Sequence, residues 1–133
     1  MERDVPTLPM PEVRLYHSRR KCERFLGRHG VPFEPSECAD AQTWTFEDGG
    51  RSYAVVLFDC DPSIDYWDDM GMLAHEATHV ALYALRAIGD DEPAEEEMCY
   101  VVQAVTSWLC EAHFSWKERR LRGKKPDAGA YLV

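Results

Sequence analysis

No apolar run in the sequence is long enough to span a bilayer, and the N-terminus lacks the hydrophobic stretch of a signal peptide. Those absences make the expected setting a cytoplasm, with no membrane partner. A C-x-x-C pair is missing as well. Cys22, Cys38, Cys60, Cys99 and Cys110 are odd in number and scattered, which argues against a disulfide framework and a thiolate zinc site. There is no Gly-rich phosphate loop, no G-x-S-x-G elbow, no internal repeat and no low-complexity segment. Basic charge is scarce and badly distributed. Fifteen Lys and Arg face 24 Asp and Glu for a net charge of −9. Residues 117–125 hold about +5 of the positive charge, leaving about −14 elsewhere. A body that acidic repels a phosphate backbone, so nucleic acid is a disfavoured partner.

What remains is a soluble globular composition, 45% hydrophobic over 133 residues, enough for one domain with a real core. The reading divides it into an extended, proline-bearing lead at 1–12, a folded domain at 13–116 and a basic tail at 117–133 without fixed structure. Residues 13–16 read as a strand and 19–28 as a helix capped by Ser18, with Cys22, Phe25 and Leu26 facing inward and Gly30 ending it. Residues 31–40, with Pro32 and Pro35, read as a loop. Two β-rich runs, 43–46 and 52–58, flank Asp48-Gly49-Gly50, the strongest hairpin signal in the chain. Asp59-Cys60-Asp61-Pro62-Ser63 ends the sheet, and Asp65, Asp68 and Asp69 favour the start of the helix that follows.

That helix, 70–88 with Gly89 as its C-cap, carries the chemistry. Its apolar stripe is Leu73, Ala74, Ala77, Val80, Ala81, Leu85 and Ile88, and along the edge lies His75-Glu76-Ala77-Thr78-His79, an H-E-x-x-H pattern. Residues four apart share a helix face, so two neutral imidazoles can converge on one Zn²⁺. Glu76 then leans over the same point without binding the metal, as a general base for water would.

A catalytic zinc centre needs a third protein ligand and one open place. The extended motif H-E-x-x-H-x-x-G-x-x-H is excluded, because Leu82 and Leu85 stand where Gly and His would be. A second periodic run, 98–114, follows an acidic turn with Pro93 in its first turn, and the short connection makes the two helices antiparallel neighbours. Glu95, Glu96 and Glu97 point about 100° apart. Glu96 is favoured as ligand, with Tyr100 one turn on along the same edge as a partner to the ligand shell or a substrate contact, and Glu97 is the runner-up. His113 lies roughly 25 Å further along the same helix and cannot share a metal with Glu96. His17 and His29 could reach the site only through tertiary folding. Tyr83, Tyr100 and His113 all have the chemistry to stabilise an oxyanion.

His75-Glu76-Ala77-Thr78-His79 followed by Glu96-Glu97-Met98-Cys99-Tyr100 resembles the gluzincin class of zinc metallopeptidases. More closely, it is similar to the small single-domain metallopeptidases encoded by bacteriophages and prophages, over residues 13–108. The resemblance implies zinc at His75, His79 and a glutamate, with Glu76 as base. It also implies an α+β, minimal zincin-like domain: a small antiparallel or mixed sheet, built from a strand, a helix and a hairpin, packed on two antiparallel helices that carry the metal. In such peptidases a strand beside the site helix offers its edge to an extended peptide. The chain departs from the wider class in having no large second domain to wall off a cleft. The expected function is zinc-dependent hydrolysis of a peptide or protein substrate in a bacterial or phage-infected cytoplasm. The alternative is a non-catalytic zincin fold, a virion or regulatory protein braced by a structural metal.

Overall fold

Four strands make one mixed sheet, and the hairpin at its heart is set by two glycines. The computed structural model describes residues 10–35, 40–59, 66–89, 95–123 and 130–132. Strands β2 (Ala41–Asp48) and β3 (Arg51–Phe58) pair antiparallel, with Asp48 opposite Arg51. Gly49 and Gly50 form the two-residue loop at φ 60° and 79°. Positive φ at both positions is the type I′ turn, whose twist matches that of the flanking strands.

Strand β1 (Glu12–Tyr16) pairs parallel with β3 and antiparallel with the short β4 (Ala130–Leu132), giving the order β2-β3-β1-β4. A parallel pair needs a crossover, and helix α1 (Arg19–Arg28) lies within it. The Ser18 hydroxyl accepts from the Lys21 N–H at the start of α1, and Cys22, Phe25 and Leu26 are its buried face, as expected.

β3 is buried from Tyr53 to Phe58, as its nearly unbroken apolar sequence predicts for a strand covered on both faces. Tyr53, Val55 and Leu57 pack with α1 residues, whereas Ala54, Val56 and Phe58 pack with the two long helices. These helices are α2 (Tyr66–Ala87) and α3 (Glu95–Leu121). Leu73, Ala77, Val80, Ala81 and Leu85 of α2 meet Val101, Val105 and Leu109 of α3 over that face of the sheet. The architecture is α+β, with one helix on one side of the sheet and a helix pair on the other.

Several boundaries differ from the sequence reading. α2 begins at Tyr66, a turn before the expected residue 70, because Asp68 and Asp69 form its first turn instead of preceding it. Ile88 falls beyond α2 and is 40% exposed, while Gly89 takes φ 82° after the helix, as a C-cap should. α3 runs to Leu121, well past 114, and the segment read as a tail from 117 supplies its last turns and then β4. Lys117 is drawn in by Asp69 at 3.0 Å, and Arg120 lies 5.8 Å over the Trp116 ring. The lead at 1–9, the turn at 60–65, the helix start at Pro93 and residues 124–129 lie outside the described residues. Among the described residues, no helix is long and apolar enough to cross a membrane.

Candidate functional site

Strand β2 is the sheet edge nearest α2, and its alternation decides which side chains meet the helix. Trp44 and Phe46 turn to the α1 face, and Ala41 to the face that packs on α2. Thr43 shares the Ala41 face through the two-residue period. Its hydroxyl donates to Glu76 Oε2, which accounts for a carboxylate only 4% exposed on an otherwise apolar helix flank. An acid buried this deeply without a donor would be costly.

His75 and His79 stand one turn apart on the exposed edge of α2. Their Nε2 atoms are 3.2 Å apart, with ring centroids at 4.9 Å. Two nitrogens held by one tetrahedral ion at ~2.0–2.1 Å would themselves be separated by ~3.3 Å. The spacing of the pair therefore fits a divalent metal as two of its ligands, as it also fits a hydrogen bond between the two rings.

A cleft of about 340 Å³ opens between β2 and α2, lined by Thr43, Thr45, Glu76 and the two histidines, and continues along α2 past Leu82 and Tyr83 to Arg86. The Tyr83 hydroxyl is buried and has no hydrogen-bond partner among the described residues. Of the three groups named for an oxyanion, only Tyr83 lines this cleft. Tyr100 is 62% exposed on α3. His113 is fully buried, with Nε2 at 2.9 Å from Asp69 and Nδ1 at 2.9 Å from His17.

Glu96 is exposed at the start of α3 and Glu97 half-buried beside it. Among the described residues, no group of three or more His, Cys, Asp or Glu side chains is gathered to hold a metal, so neither glutamate joins the histidine pair in this structure. The helix register explains why. Asp69 near the start of α2 meets His113 and Lys117 near the end of α3. Counting back along antiparallel helices puts Glu96 level with Arg86, about 10 Å along the axis from His79.

The remaining histidines and the buried Cys22 are engaged elsewhere. His17 stacks on Trp116 at 3.8 Å, and burial first, then neighbouring His113, Arg119 and Arg120, push its pKa down to about 3. Burial also lowers His113, outweighing the opposite pull of Asp69. His29 Nδ1 is 2.6 Å from Asp48, on the α1 face. Burial pushes the Cys22 thiol up to about 12, which removes it as a nucleophile.

Sequence reasoning missed Thr43, whose role depends on the strand that carries it meeting a helix more than thirty residues away. It also missed Arg86, which stands two turns beyond His79 on the same edge and was legible from helical spacing. Comparisons of the chain with protein-family models, with curated proteins and with solved structures give no match.

Proposed function

We propose that this chain is a zinc-dependent metallopeptidase of minimal zincin-like build, cutting a peptide laid along β2 in the cytoplasm of a bacterial or phage-infected cell. The observation that carries the reading is the His75–His79 Nε2 separation of 3.2 Å, at a cleft that also contains the Glu76 carboxylate. Zinc held by these imidazoles would supply Lewis-acid activation of water and of a carbonyl near neutral pH. Thr43 fixes Glu76 through Oε2, leaving Oε1 to take the proton of the attacking water and return it to the leaving amine. Among the described residues β2 is an unpaired edge, so its backbone N–H and C=O groups can hold an extended substrate beside the helix. Glu96 enters as third ligand on the resemblance alone.

The test is metal content and hydrolysis in Glu76→Gln. The amide keeps the shape and the Thr43 contact, so metal is retained while hydrolysis falls by at least a hundredfold. Equal activity in the variant ends this reading. One observation favours the non-catalytic alternative: the Thr43–Glu76 bond ties α2 to β2, a brace that a scaffold also needs. That reading expects Glu76→Gln to change nothing but stability.

A further inference from the structure

The cleft does not stop at the histidines. Its far end is formed by Arg86 and Tyr83, which no step of the proposed hydrolysis uses. Helix-dipole complementarity explains a basic residue in the last turn of α2. It does not explain why the neighbouring Tyr83 presents a buried hydroxyl without a partner among the described residues. Nor does it explain why Arg86 has no ion pair among those residues in a chain of net charge −9. One helical turn apart and both lining the cleft, the Tyr83 phenol and the Arg86 guanidinium offer several donors and one full positive charge. The ligand chemistry that uses both is a carboxylate, held by charge-assisted hydrogen bonds.

We propose that Arg86 and Tyr83 form a carboxylate-binding subsite at the far end of this cleft. Joined to the peptidase reading, on which this part rests, the subsite sets the substrate class. Arg86 lies about 10 Å along α2 from His79, the span of about three extended residues. The protein therefore selects peptides whose carboxylate, from an acidic side chain or a free C-terminus, stands about three residues from the bond cut.

Binding separates the two ideas, because it can be measured without turnover. Short peptides in matched pairs, Glu against Gln within the chain and free C-terminus against C-terminal amide, are titrated into chelator-treated protein and followed by NMR. The Arg86 Nε–H and Tyr83 ring signals report the site. The acid member of one pair binds at least tenfold tighter than its partner, and the pair that discriminates shows which source of carboxylate is used. Arg86→Gln brings the ratio to within about twofold of unity, Tyr83→Phe lowers it about threefold, and neither substitution touches the core. Acid and neutral members binding alike, neither binding, or a ratio that survives Arg86→Gln would each overturn the subsite. A preference that appears in binding while metal-loaded protein cleaves no peptide would keep the subsite and remove the peptidase.

Discussion

His113 Nε2 lies 2.9 Å from Asp69 Oδ2, and both side chains are almost wholly shielded from water. A carboxylate only accepts, so Nε2 of His113 carries the hydrogen. With its pKa lowered by burial, His113 is neutral, and its Nδ1 must accept from the Nε2–H of His17 at 2.9 Å. Lys117 donates to the same Asp69 oxygen at 3.0 Å. One chain of bonds thus ties the end of β1 to the first turn of α2 and the last third of α3. Asp69→Ala strands both the imidazole N–H and the ammonium, and the expected cost is about 3–5 kcal/mol. Urea unfolding of the variant measures it, and a loss below about 1 kcal/mol shows the network to be idle.

The same chain makes stability depend on pH. His17 titrates near 6.5 unfolded but at about 3 when folded, so between those values the unfolded chain binds the extra proton. Its contribution is fully present above pH 6.5 and is lost as pH falls toward 3. The groups facing it are His113, Trp116, Arg119 and Arg120. His17→Phe preserves the stacking and flattens the slope between pH 6.5 and 4 by up to about 1.4 kcal/mol per pH unit. Parallel curves for parent and variant refute the assignment.

Metal binding divides the ligand set. His75→Ala and His79→Ala are each expected to weaken zinc binding by a hundredfold or more, read by competition with a chromophoric chelator. Glu96→Ala weakens it at least tenfold if that carboxylate reaches the ion, and an unchanged affinity removes Glu96 from the centre.

Thr43→Val is nearly isosteric but has no donor. The buried Glu76 carboxylate then loses the donor it has among the described residues, at an expected cost of about 1–3 kcal/mol, and hydrolysis falls with it. Thr43→Ser restores both, because the hydroxyl is what matters. A Val variant as stable as the parent removes the proposed role.

The elements legible in the sequence were those with local signals. Ser18 before an amphipathic run and Gly49-Gly50 between β-branched runs settle α1 and the hairpin within a few residues. His75 and His79 were equally plain, since one helical turn brings them together. The rest depends on partners far apart in sequence. Asp69 reads as a helix-dipole residue until folding sets it against His113, and Glu76 reads as an edge residue until β2 covers it. That Tyr83 and not Tyr100 lines the cleft depends on which helix edge faces β2, and periodicity cannot supply that. The register of α3 against α2 is likewise set by the buried contacts at their far ends, not by the length of the connection that made Glu96 attractive.

The position of β4 bears on biogenesis. β1 leaves the ribosome ahead of the other described elements, yet the strand that pairs along its outer side is translated more than a hundred residues later. Until then one margin of the nascent sheet is bare backbone, able to zip onto a neighbouring polypeptide. Polysome crowding and chaperone supply should consequently affect the soluble yield of this protein more than single core substitutions near β4 do.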